Sequence, residues 1–177
     1  MAEYDWRMKG VVLAVAFLAS LSGPLVAEAD APAQLANVSG DVSIVHADTG
    51  LQEAAVPSAT LSAGDFVATG DGSHTSLRVG GQTLRLDAQT QVRVVDLDAG
   101  AAEVQIAAGN VDVTAPAGSQ AQIDTPTATV RPARPGSFRV SVADGGQTVV
   151  RVSSGSVTID GPSGTQTVAP GATVIAE

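Results

Sequence analysis

The chain has 177 residues, one domain's worth, and its 44% apolar and 15% charged residues can bury a core and are too apolar for disorder. It carries 18 acids against 9 bases, for a net charge of −9, and has no cysteine. These values exclude a disulfide scaffold, a cysteine-ligated zinc site and a cysteine nucleophile, and they argue against nucleic-acid binding, which needs a basic surface.

Arg7 and Lys9 precede the apolar run Val11 to Leu21, which Ser22-Gly23-Pro24 ends. That run is well short of the roughly 20 apolar residues a transmembrane helix needs. Small residues follow at Ala27-Glu28-Ala29. The layout is that of a secretory signal peptide, a signal helix over residues 1–29 cut after Ala29. A retained membrane anchor is the alternative, and only then is the membrane a partner. Removal of the segment leaves 148 residues with seven arginines, no lysine and fifteen acids, net −8, and with Phe66 and Phe138 as the aromatics. Residues 30–35 read as a short linker and 36–177 as the folded domain.

From Val38 onward the period is two. Thr83 to Asp87, Gln91 to Val94, Glu103 to Ile106, Asn110 to Val113 and Ser137 to Val142 each alternate polar and apolar residues. Such alternation puts one face of each strand in a core and the other in water. Valine and threonine dominate, and their β-branching suits the pleated backbone. Turn residues punctuate the runs at Gly70-Asp71-Gly72, Gly80-Gly81, Asp144-Gly145-Gly146 and Gly161 to Gly164. The expectation is an all-β domain of roughly a dozen short strands, a compact sandwich or a stack of β-turns.

The Gly80-Gly81 pair predicts a two-residue hairpin turn, with Leu77 opposite Leu84, Arg78 opposite Thr83 and Arg85 opposite Ser76. If the next strand continues the meander, Arg93 shares the outward face with Arg78 and Arg85. A pattern G-x-V-x-[VI] recurs at Gly40, Gly109 and Gly155, without a fixed period. A regular solenoid is therefore not expected. The pattern fits related β-turns, or coincidence in a chain rich in glycine and valine.

Several residues then carry a resemblance. Ser39-Gly40-Asp41-Val42-Ser43, the stretch Leu61 to Ser73 with the form L-x-x-G-D-x-[VL]-x-T-G-x-x-[SG], and the hairpin Leu77 to Asp87 resemble FecR-type periplasmic domains. The likeness extends over about residues 36–175. It implies a FecR-like β domain in which Gly64, Asp65, Gly70, Asp71, Gly72, Gly80 and Gly81 shape turns. It also implies a periplasmic or secreted location. The family's best-known members are single-pass inner-membrane regulators that relay the state of an iron-siderophore receptor to a sigma factor. Here only ten residues precede the apolar run, with Trp6 alone similar to the family's sigma-facing region, and with that departure the chain resembles the exported domain alone.

Catalytic and metal motifs are weak. Asp71 and Asp144 beside glycines suit turn formation. Asp96 to Gly100 lacks the further acids of a calcium loop. His46 and His74 stand far apart, and no G-x-S-x-G elbow is present. No enzyme activity, cofactor or metal is expected. The sharpest candidate is the set Arg78, Arg85 and Arg93, whose guanidinium groups could fork onto carboxylates or phosphates, the alternative being a wet face whose arginines pair with Asp87 or neighbouring acids. The reading is an exported, non-catalytic module that binds an envelope protein or anionic envelope polysaccharide, with a role in envelope signalling. The alternatives are the membrane-anchored regulator and a self-associating structural protein. Phe66 and Phe138 both read as core.

Overall fold

A computed structural model describes residues 33–97 and 101–177. The expected signal peptide, its cut after Ala29 and most of the Asp96 to Gly100 turn lie outside those residues. Within them no helix is long and apolar enough to cross a membrane.

The described residues form fourteen strands. The first eight are β1 (Ala33–Ser39), β2 (Val42–Val45), β3 (Gln52–Ala54), β4 (Thr60–Leu61), β5 (Phe66–Thr69), β6 (His74–Val79), β7 (Gln82–Leu86) and β8 (Gln91–Asp96). Then follow β9 (Glu103–Ala115), β10 (Gln122–Asp124), β11 (Thr129–Val142), β12 (Thr148–Gly161), β13 (Gly164–Val168) and β14 (Thr173–Ala176). The all-β expectation holds. Eleven strands are short, but β9, β11 and β12 run 13 to 14 residues. The expected linker at 30–35 needs correction, because β1 already starts at Ala33, and Ala33 and Leu35 are fully buried.

The strands belong to one open sheet that the long strands divide into two halves. The first half runs β4, β1, β6, β7, the C-terminal part of β9, the C-terminal part of β11, the N-terminal part of β12 and β14. The second runs β3, β2, β5, β8, the N-terminal part of β9, β10, the N-terminal part of β11, the C-terminal part of β12 and β13. One hydrophobic cluster takes its residues from both halves. The described residues contain no helix to cover it, so each half covers the other's apolar face.

Cross-strand rows build that core. In the first half Leu35, Leu77, Leu84, Val113, Phe138 and Val152 stand opposite one another in succession. In the second half Ile44, Val67, Val92 and Ile106 do the same. All ten are buried. Phe66 departs from expectation. Its neighbours Val67 and Thr69 point inward, so Phe66 lies on the outward face and is only half-buried.

The recurring G-x-V-x-[VI] pattern marks three crossings between halves. In β9 the buried positions are 104 and 106 before Gly109, and 111, 113 and 115 after it. In β12 they are 148, 150 and 152 before Gly155, and 157 and 159 after it. Alternation of period two forbids such a change of parity in a straight strand. It is accommodated by a corner, with Gly109 at φ 95° and Gly155 at φ 74°. Gly40 plays the same part between β1 and β2.

Threonine side chains brace the corner in β9. The Thr69 hydroxyl donates to the Asp87 carbonyl at 2.6 Å and accepts from the Thr90 backbone N–H at 2.9 Å. The Thr90 hydroxyl in turn accepts from the Asn110 N–H at 3.0 Å. Both threonines are buried, so these bonds satisfy groups that water cannot reach.

Candidate functional site

The predicted hairpin is realised in its expected register. Ser76 pairs with Arg85, Leu77 with Leu84 and Arg78 with Thr83, around the positive-φ turn Gly80-Gly81. Arg78 and Arg85 therefore share the outward face of the first half-sheet, and both are exposed. The meander stops there. After Leu86 the chain crosses to the other half, where β8 pairs with β5 and β9 rather than β7. Arg93 consequently stands on the second half-sheet, opposite Phe66 and Gln105. The structure thus brings Arg78 and Arg85 together and sets Arg93 apart.

Two other arginines take its place. One cross-strand row on the outward face of the first half-sheet runs Arg85, Asp112, Arg139, Arg151. With adjacent strands roughly 4.8 Å apart, the row spans about 14 Å. Arg78 flanks it from β6. Arg139 anchors the row. Its Nε donates to Asp112 Oδ1 at 2.7 Å, a terminal nitrogen donates to Asp112 Oδ2, and another meets Asp87 Oδ2 at 3.2 Å. The paired bonds to Asp112 raise the Arg139 pKa above its ordinary value despite some opposing desolvation. Among the described residues Arg78, Arg85 and Arg151 make no ion pair, so the face carries four guanidinium groups against the carboxylates of Asp87 and Asp112. On a chain of net charge −9 this is a local reversal of sign. Such a face can fork onto carboxylates or other planar anions. Sequence reasoning missed Arg139 and Arg151 because the row forms only where β9 joins β7 to β11, strands distant from it in the chain.

The predicted turn residues shape a second region. Asp65 is buried, and its carboxylate accepts from the backbone N–H groups of Ala47 and Ser62, each at 2.9 Å. Its Oδ2 also lies 3.1 Å from Nδ1 of His46, whose Nε2 is 3.1 Å from Glu53 Oε1. Burial alone would push the Asp65 carboxyl up, but the two backbone N–H groups and the imidazole outweigh it and hold it below its ordinary value. The hydrogen bond to Glu53, then that to Asp65, raises the His46 pKa above its ordinary value. The carboxylate thereby ties the turn before β5 to the end of β2, and His46 ties in β3. Gly64 closes the same turn by donating its N–H to the Val94 carbonyl at 2.6 Å.

The remaining turn residues act locally. The Gly70 N–H bonds the Asp41 carbonyl at 2.8 Å, and Asp71 Oδ1 accepts from Gln89 Nε2 at 2.6 Å. Gly72 takes positive φ in an open position. His74 is exposed at the start of β6. Among the described residues no group of three or more histidines and acids could hold a metal ion.

Fold and face together define an all-β module built of two half-sheets, one of which presents a positively charged outward surface. The chain belongs to the FecR protein family, whose model matches residues 65–158 and so includes every residue of the arginine row. Two crystal structures of a "putative anti-sigma factor" from Parabacteroides distasonis ATCC 8503 are similar in fold, each with a TM-score of 0.54. Their identities to this chain are 22% and 21%, and each likeness covers 62% of this chain and 53% of that one. The chain therefore matches about half the length of that protein. No curated protein matches the sequence.

Proposed function

We propose that this FecR-family chain is an exported, non-catalytic module of the cell envelope that binds an acidic partner, protein or polysaccharide, through its arginine face, as part of envelope signalling. The observation that carries the reading is the row Arg85, Asp112, Arg139, Arg151, which lies wholly inside the matched family segment. Asp112 and Asp87 hold the central guanidinium in place. The outer arginines are left to meet the partner's carboxylates. The description of the similar structures as a "putative anti-sigma factor" supports the signalling part.

The test uses immobilised protein and envelope extract, with a polyuronate and a polyaspartate peptide as defined acidic probes. The double variant Arg85→Gln/Arg151→Gln loses capture while keeping its circular-dichroism spectrum, and Arg134→Gln captures as the unaltered chain does. Equal capture by the double variant rejects the reading. The same family match supports a second reading, a regulator anchored by its N-terminal segment. Cell fractionation separates the two, since an anchored regulator stays in the membrane pellet at full mass.

A further inference from the structure

The outward face of the second half-sheet carries a different surface. One cross-strand row there runs Val45, Phe66, Arg93, Gln105, Asp124. It lines two adjoining hollows of about 410 and 310 Å³ that meet at Gly64, Arg93 and Gln105. Both sizes fall within the roughly 300–1,000 Å³ usual for ligand pockets.

The lining is mixed in a specific way. Phe66, Val45 and Ala107 supply an apolar strip, with the Phe66 ring half-buried. Arg93 donates its Nε to the Gly64 carbonyl at 3.2 Å, which steadies the guanidinium and leaves its terminal NH2 groups unused among the described residues. The exposed Gln105 amide makes no hydrogen bond among those residues either, and it offers both a donor and an acceptor. Asp124 is held from behind by Gln122 Nε2 at 2.9 Å and Thr129 Oγ1 at 2.7 Å. Glu103 stands beside it in the second hollow. Contact with Asp124 raises the Glu103 pKa, with burial adding to the effect.

An anion at this place would meet Arg93 but also Asp124 and Glu103, and a cation would meet the reverse. A ligand without net charge avoids both conflicts. It must offer an apolar face to Phe66 and groups that both donate and accept along Arg93, Gln105 and Asp124. Sugar rings have that construction, with C–H bonds on their faces and hydroxyls on their rims. We propose that this groove binds a neutral glycan chain, one ring lying against Phe66 and its hydroxyls bonded by Arg93, Gln105 and Asp124. His46 has both ring nitrogens engaged by Asp65 and Glu53, so it forms a fixed wall of the groove. The site lies on the other half-sheet from the arginine row and does not depend on it.

The test is an amide chemical-shift titration of the isotope-labelled chain with neutral tetrasaccharides of glucose and of N-acetylglucosamine, and with tetragalacturonate as the anionic contrast. At least one neutral member is expected to shift Phe66, Arg93, Gln105 and Ala107 with a Kd below roughly 10 mM. Phe66→Ala should weaken that binding by about tenfold, and Gln105→Ala, whose side chain is exposed and unbonded among the described residues, by about threefold. Arg85→Gln/Arg151→Gln should leave it unchanged. The proposal is overturned if no neutral member shifts these residues, if Gln105→Ala binds as well as the unaltered chain, or if tetragalacturonate binds the groove more tightly.

Discussion

A Cβ atom added to Gly155 would stand 2.3 Å from the carbonyl oxygen of Pro135, on the neighbouring strand. Backbone cannot yield as a flexible side chain can, and φ at Gly155 is already in the left-handed region. The corner in β12 therefore admits glycine alone. Gly155→Ala is expected to cost about 2–4 kcal/mol. Gly72→Ala, with positive φ but open space around it, should cost nearer 1 kcal/mol. Urea denaturation of the two variants measures the difference. Equal losses would show that close approach plays no part.

The Thr90 hydroxyl offers a test of the corner in β9. Thr90→Val keeps the shape of the side chain but leaves the Asn110 N–H without its partner. The expected loss is about 1–3 kcal/mol, read as a lower urea midpoint with an unchanged slope.

The two phenylalanines should behave differently. Phe138 is buried in the first core row, so Phe138→Ala should cost about 3–5 kcal/mol. Phe66 lies outward and half-buried, so truncation there should cost about 1–2 kcal/mol. Thermal unfolding of both variants checks the order, which reverses if Phe66 is the true core residue.

His46 and Asp65 set a pH window. The His46 pKa is raised in the folded state, so its contribution is full below the ordinary value of 6.5 and fades as pH rises through the folded value. The Asp65 pKa is lowered, so its contribution is full above the ordinary value of 3.8 and fades as pH falls through the folded value. Both act together between those limits. The stability gap between the unaltered chain and His46→Ala should be larger near about pH 5.5 than near about pH 8.5. Urea midpoints at the two values decide it, and a gap that grows toward alkaline pH contradicts the arrangement.

Salt should separate the two surfaces. Exposed charges are screened as the Debye length falls from about 10 Å at 0.1 M to about 3 Å at 1 M salt. Capture of an acidic probe by the arginine face should weaken strongly over that range. Glycan binding in the Phe66 groove, which involves no net charge, should barely change. Parallel titrations at the two salt concentrations measure this.

The Gly80-Gly81 hairpin was fully legible in the sequence. Its register depends on one two-residue turn and on local alternation, and both are written within ten residues. The turn Gly64-Asp65 was legible as a turn, but its partner His46 was not. That contact joins residues 19 apart through the pairing of β2 with β5. The recurrence of Gly40, Gly109 and Gly155 could be seen in the chain, but not its purpose, since a change of parity has meaning only once two half-sheets share a core.

By itself, then, the sequence determined that this protein is all-β, where most of its strands and tight turns fall, and, where polar and apolar residues alternate, which side chains face inward. These are properties of period two and of glycine's backbone freedom, and they act over a few residues. Only the tertiary structure decided which outward faces belong together. It moved Arg93 away from Arg78 and Arg85, placed Arg139 and Arg151 beside Asp112, and set Phe66 in a groove instead of the core. The physical reason is that strands adjacent in the chain, such as β7 and β8, gain more by joining opposite halves around one core than by pairing with each other. Alternation within a strand carries no record of that choice.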